Sequence, residues 1–354
     1  MSGPLDGIRV VELAGIGPGP HAAGILAGMG ADVLRVARDA AGVDDDPLLH
    51  GRRSLVADLR DLEQLERVRG LIDVADVLVE GFRPGVTERL VYARMTGWGQ
   101  GGPRVADAGH DLNYLAPTGA LHAIGRASGR PVPPLNLVAD YGGGSMLLLT
   151  GVLAALVERA ASGAGQVVDV AMIDGVAQLL APTYAMLKQG MWRDERQANP
   201  LDGGLACYDT YTCADGRWVA VGALEPQFWA VLTERLGLDA AVLPDRFDTG
   251  KAEELRAVLA EVFARRTRDE WAAEFLGTDG CVTPVLSLEE AADDPQLAAR
   301  GTLRRRDGRI EAAPAPRFSR TPSPGNGDAA LVDFASAETA WPARPAPTGS
   351  PAWT

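Results

Sequence analysis

Cysteine is scarce in this chain of 354 residues: Cys207, Cys213 and Cys281 are an odd set with no CxxC spacing. A secreted disulfide scaffold is excluded, and a zinc ribbon, an iron–sulfur centre or a thioredoxin-like pair finds little support. Lysine is rarer still, with Lys188 and Lys251 alone, so Schiff-base chemistry has few candidates. Imidazole chemistry must use His21, His50, His110 or His122. Long Lys/Arg runs are missing and the formal net charge is -13, which argues against a nucleic-acid partner. No apolar run reads as long enough to cross a bilayer, and MSGPLDGIRVVELAG lacks a basic-then-apolar leader. The expectation is therefore no membrane partner and a reducing, cytoplasmic compartment.

With 46% hydrophobic and 23% charged residues, the chain has the composition of an ordinary globular protein and the length for two domains. Its first third alternates strand and helix signals. IRVVELA (8–14) reads as a buried strand, GIGPGP (15–20) as a loop and HAAGILAGMG (21–30) as a helix. Strands follow at 31–38, 54–59, 75–80 and 91–97, with an amphipathic helix at 61–73. This alternation predicts an α/β fold with a parallel, Rossmann-like sheet. The connection GFRPGVTERL has only ten residues, short for a parallel crossover. Residues 98–141 are irregular and rich in Gly and Pro, as functional stretches often are. A helix is expected from near Gly142–Ser145 to about 161, then a strand at 166–171 and a helix at 172–188. Residues 189–206 read as a linker, and 207–297 as a smaller α+β domain opening on a hairpin. Residues 298–312 would lead back, and the Pro-rich tail 313–354 would lie as an extended strap on the large domain or be partly mobile.

Several residues could carry chemistry. The loop Gly15-Ile-Gly17-Pro-Gly19-Pro20 imitates a dinucleotide fingerprint, but Pro20 stands where the third glycine is needed. Arg35 and Arg38 end the following strand where an acidic residue would bind ribose. Arg35, Arg38, Arg60, Arg83 and Arg89 are expected at the carboxyl ends of strands, where arginine suits phosphate. Singly, each is explained as a solvated charge. His110, in Ala108-Gly-His-Asp-Leu-Asn-Tyr114, titrates near neutrality and suits proton transfer; a surface histidine is the plainer explanation. Asp140, in Asn136-Leu-Val-Ala-Asp140-Tyr-Gly-Gly-Gly-Ser145, is either a helix cap or a second acid/base. Beside it, Gly142, Gly143 and Gly144 would let a substrate reach the N–H groups of a helix N-terminus, which would stabilise an oxyanion. His21 reads as structural or close to the ligand, His122 as packing and His50 as exposed.

Together these blocks resemble the α-methylacyl-CoA racemases, within the family III CoA-transferases. The resemblance rests on GPLDGIRVVELAGIGPGPHAAGILAGMGADVLRV, EGFRPGVTERL, YARMTGWGQGGPR, AGHDLNYLA and RPVPPLNLVADYGGGSM. It continues in YDTYTCADGRWVAVGALEPQF, CVTPVL and APRFSRTP. It implies racemisation of 2-methyl branched acyl-CoA thioesters through an enolate, with no metal and no cofactor beyond the coenzyme A of the substrate. His110 and Asp140 would be the two bases, with Asn136 and Glu225 orienting them. Contacts to coenzyme A carry over to Ile16, Arg38, Ala57, Asp58, Leu59, Arg60, Gly81, Phe82, Arg83 and Arg89, and to Gly109, Asp111, Leu112, Asn113 and Tyr114. The resemblance also implies an interlocked homodimer in which Glu225 acts in trans. The chain departs from the family where TERL runs straight into VYARMTG, without the usual extra helix and loop, so Arg89 could match an arginine on either side of the missing piece. Two alternatives stand beside this reading. One is a CoA-transferase with Asp140 as nucleophile, which has no obvious use for His110. The other is a non-catalytic acyl-CoA-binding protein.

Overall fold

A computed structural model describes residues 3–40, 43, 46–80, 89–325 and 327–342. The chain forms two compact units: Met1–Leu115 with Leu135–Leu179 and Glu311–Thr354, and Ala116–Pro134 with Leu180–Ile310. The division falls at Leu179 rather than at 188, and residues 116–134 group with the second unit, although their sequence follows directly on the irregular loop.

The first unit is built on parallel strands β1 (Arg9–Leu13), β2 (Asp32–Ala37), β3 (Arg53–Val56), β4 (Val77–Glu80), β5 (Val91–Thr96) and β6 (Gln166–Ala171). Their order across the sheet is β3-β2-β1-β4-β5-β6, with a further strand, Ala330–Val332, parallel to β3 at the edge. Such strands are covered on both faces, so β1 and β4 are mostly apolar, with Glu12 and Glu80 as buried exceptions. On one face Val11, Leu34, Leu55, Leu78 and Tyr92 pack with Val68 and Leu71 of α2 (Leu62–Asp73). On the other, Val79 meets Gly19 of α1 (Pro18–Gly28), and Val168 meets Gly151 of the helix Met146–Ser162. The strand order reverses beside β1, so the loop Ala14–Gly17 leaves the sheet at a topological switch point.

The tail differs from the expected strap. Ala330–Val332 joins the sheet, and Phe334–Ala340 is a helix capped by Asp333. Trp341 is then held by Arg9 and Arg53, 6.0 and 5.3 Å from its ring, and donates to Asp32 at 2.6 Å. The helical stretch is also longer than expected. A π-helix, Leu137–Ser145, leads into Met146–Ser162, and together they make 26 residues with the length and hydropathy of a membrane span. No apolar run of that length was expected from the sequence. Leu148, Val152 and Ala155 are buried against the sheet, as in a helix of an α/β layer.

In the second unit, β7 (Tyr208–Thr212), β8 (Trp218–Gly222) and β9 (Val282–Pro284) form an antiparallel sheet. Helices Pro226–Leu236, Ala252–Phe263 and Arg268–Phe275 bury Leu232, Leu259, Phe263 and Trp271 in its core.

Candidate active site

The acid/base candidates lie in the first unit. The helix α3 (Asp111–Leu115) begins directly after His110 and organises its surroundings. Asn113 Oδ1 accepts the His110 N–H at 3.0 Å, and the His110 carbonyl accepts the N–H groups of Asn113 and Tyr114. The Tyr114 hydroxyl donates to the Gly109 carbonyl at 2.6 Å. A side chain at Gly97 would collide with the Tyr114 ring, so glycine there lets the ring brace the loop ahead of His110. His110 itself is exposed.

Asp140 stands in the first turn of the π-helix, half-buried, and its Oδ2 accepts Asn136 Nδ2 at 3.2 Å. A Cβ at Gly17 would lie 3.4 Å from the same oxygen, so the switch-point loop runs past this carboxylate. Burial pushes the Asp140 carboxyl above the usual carboxylate range. The Asn136 hydrogen bond opposes that shift, the charge of Asp111 adds to it, and protonated His110 opposes it again. Tyr114 is likewise raised, first by burial and then by the charge of Asp140. His110 and Asp140, thirty residues apart in sequence, therefore act on each other electrostatically. A base exposed to water and a carboxyl with a raised pKa can exchange roles in proton transfer at one carbon.

The glycines have a different part from the expected one. The helix starts at Leu137, so Gly142, Gly143 and Gly144 lie within it and not at its N-terminus. Gly143 and Gly144 are buried. A Cβ on Gly143 would be 2.9 Å from the Val176 nitrogen, and one on Gly144 would be 3.0 Å from Pro18 Cβ. They serve close helix packing, because no side chain fits between the backbones. The first-turn N–H groups belong instead to Ala139 and Asp140, and both already donate to Asp111 Oδ2, at 2.7 and 2.8 Å.

Ile16, Arg38, Ala57, Asp58, Leu59 and Arg60 all follow the carboxyl ends of β1, β2 and β3. Ile16 and Arg38 are exposed. Arg60 donates to Asp58 at 2.9 and 3.0 Å and with Arg38 holds that carboxyl at about 2. Gly81, Phe82 and Arg83 lie outside the described residues. Arg35 and Arg89 do not stand where expected. Arg35 is inside β2, in register with Glu12 and Ser54. Arg89 precedes β5 and so lies at the amino edge, where its carbonyl accepts from Arg159 at 3.2 Å. A residue just ahead of a parallel strand must be there, a signal the sequence carried. Glu225 is exposed in the second unit, at the start of Pro226–Leu236. His50 is largely buried beside Glu311 at 3.5 Å, not exposed, whereas His122 is exposed beside Asp194 at 3.8 Å, not packed. Sequence reasoning missed the inward carboxylate of Asp111, the bracing by Tyr114 and the place of Gly17 beside Asp140.

A family model described as CoA-transferase family III matches residues 5–329. The chain is 43% identical over 334 residues to a mouse (Mus musculus) protein named alpha-methylacyl-CoA racemase, covering 90% of this chain and 87% of that one. It is 42% identical over 334 residues to the human (Homo sapiens) protein of that name, with the same shares, 90% and 87%. Among solved structures, a CAIB/BAIF family protein from Brucella suis matches with a TM-score of 0.77 at 26% identity, covering 93% of this chain and 96% of that one.

Proposed function

The chain belongs to CoA-transferase family III, and on that premise we propose that it racemises 2-methyl branched acyl-CoA thioesters by two-base proton transfer through an enolate. One observation supports the reading: Asp111, the residue after His110, accepts the Asp140 N–H at 2.8 Å, which ties the segments of the two candidate bases together. One base removes the α-proton, the thioester carbonyl takes up the charge as an enolate, and the conjugate acid of the other delivers a proton to the opposite face. Burial raises the Asp140 carboxyl above the usual carboxylate range, which makes its conjugate base a stronger proton acceptor. Asn136 holds one Asp140 oxygen and leaves the other to meet the α-carbon.

The coenzyme A moiety belongs, in this proposal, at the carboxyl edge of the sheet, along Ile16, Arg38, Ala57–Arg60 and the outer side of residues 109–114. Arg38 and Arg60 would meet its phosphates, Arg60 exchanging Asp58 for a phosphate oxygen. No resident cofactor is part of the mechanism. A homodimer belongs to the same proposal, and sedimentation equilibrium tests it.

The decisive experiment incubates one enantiomer of a 2-methylacyl-CoA with the protein in deuterated buffer. The α-proton is followed by NMR and the product by chiral chromatography. Exchange with inversion is expected, and it is lost in His110→Ala and Asp140→Ala. Transfer of coenzyme A to an added carboxylate, with no α-exchange, would instead make Asp140 a nucleophile. Binding with neither event would leave an acyl-CoA-binding protein.

A further inference from the structure

Asp111 begins α3, immediately after His110, yet its side chain points away from solvent: the residue is 4% exposed. Its Oδ2 accepts the N–H groups of Ala139 and Asp140, at 2.7 and 2.8 Å. These are first-turn donors of the π-helix, which have no acceptor within their own helix. One carboxylate thus caps, from a segment 28 and 29 residues distant, the turn that carries Asp140. Charge-assisted bonds to backbone N–H are short and directional, and a π-helix is a rare conformation that needs outside support. The Asp111 Oδ1 is buried without a hydrogen-bond partner among the described residues. The carboxylate is thus kept although half of its bonding capacity is unused.

We propose that Asp111 is a positioning residue that clamps the Asp140 turn to the His110 segment and so fixes the spacing of the two bases across the α-carbon. The inference rests on the racemase reading above. The same atoms set the charge environment of Asp140. Its charged and titratable neighbours are Asp111, His110 and Tyr114 from the α3 segment and Tyr141 beside it in sequence, against whose ring His21 of α1 lies at 4.6 Å. Asp174, on the helix Met172–Leu179, is exposed to solvent.

The test compares the full chain with Asp111→Ala and Asp111→Asn in deuterated buffer, following α-exchange and inversion separately. A loosened clamp lets one base still remove and return a proton on the same face, while delivery from the other face fails. In Asp111→Ala, inversion is expected to fall about 100-fold, the penalty for a misplacement near 1 Å. Exchange with retention falls less, so the ratio of exchange to inversion rises. Asp111→Asn keeps an oxygen acceptor and loses the charge. It is expected to recover most of the inversion and to move the acid limb of the pH profile to lower pH. A merely structural role would lower exchange and inversion by one factor, that of the folded fraction, and that result overturns the proposal. So does wild-type inversion in Asp111→Ala. Should the alanine variant not fold, Asp111→Ser takes its place: its shorter side chain cannot reach both N–H groups, and the same readouts and refuting results apply. Should the wild type neither exchange nor invert, the racemase reading fails. Amide hydrogen exchange of residues 137–145 then judges the clamp alone, and equal protection in wild type and variant refutes it.

Discussion

Gly175→Ala tests how tightly the catalytic turn depends on packing far from any substrate atom. Gly175 lies on Met172–Leu179, and a Cβ there would sit 2.6 Å from Gly143 Cα and closer still to the Gly143 carbonyl. Both are backbone atoms, so no rotamer change relieves the clash. The two helices must separate by about 1 Å to restore ordinary contact in a close-packed interior. Overpacking of this kind costs roughly 1–3 kcal/mol, a fall in Tm of roughly 2–12 °C for a domain of this size. Gly143 is three residues beyond Asp140 in the same π-helix, so the displacement reaches the carboxylate. Inversion of a 2-methylacyl-CoA is expected to drop about 100-fold, with KM little changed. The control is Gly70→Ala, in the exposed interior of α2, where a Cβ meets nothing within 4 Å. It should gain up to about 1 kcal/mol through helix propensity and leave turnover alone. Calorimetry and the deuterium assay read both. Gly175→Ala with wild-type Tm would refute the close contact, and a lowered Tm with full inversion would refute its coupling to Asp140.

Three further outcomes follow from buried charge. Asp140→Asn should abolish inversion yet melt higher than the wild type at alkaline pH. A carboxyl raised in the fold holds its proton more tightly folded than unfolded, so ionisation costs stability as pH rises through its folded pKa; the advantage vanishes below about pH 4, where both forms are neutral. Equal melting of the two proteins throughout the pH range would contradict this. Glu80, 7% exposed at the end of β4, is pushed from 4.5 to about 7 by burial, against the field of Arg94. The same sign applies, so the wild type loses stability between these values, and Glu80→Gln should remove a cost of about 3 kcal/mol above the upper one; urea midpoints with identical pH dependence in both proteins would count against it. Arg52→Met leaves Glu12 charged and fully buried after loss of its 2.6 Å partner, and should cost about 3–5 kcal/mol, read from the same urea titrations. A loss under 1 kcal/mol would contradict the buried Arg52–Glu12 pair.

The sheet was legible because parallel strands covered on both faces are mostly apolar. The runs IRVVELA, ADVLRVAR and ADVLVE therefore mark β1, β2 and β4 within a residue or two. His110 and Asp140 were legible as residue types in a Gly-rich stretch. Their relation was not, because it depends on which way the Asp111 side chain turns, and a string of letters does not distinguish an inward carboxylate from a solvated one. The glycine triplet was misread for a related reason. Glycine admits a ligand and a neighbouring helix equally well, and only the positions of Val176 and Pro18 separate the two uses. The tail misled through composition: Pro and Ala suggest a strap, but Trp341 docks between Arg9 and Arg53 and anchors both a strand and a helix.

The π-helix ties these threads together. Such a helix is rare, and this one is held by what surrounds it. Here Asp111 takes its first N–H groups, Gly143 and Gly144 seat it against Gly175, Val176 and Pro18, and the Ser145 hydroxyl donates to the Pro18 carbonyl at 2.8 Å. Each restraint comes from a different segment, and Asp140 is placed by all of them. The same restraints exclude water from one side of Asp140 and so raise its pKa. Position and proton affinity are therefore not separable properties of this carboxylate. A change that frees the turn would hydrate Asp140 as well as move it, lowering its pKa while it leaves the α-carbon. Losses of inversion in the packing variants should for that reason come with a shift of the acid limb to lower pH, whereas a change that only weakens coenzyme A binding at Arg38 or Arg60 should leave that limb in place.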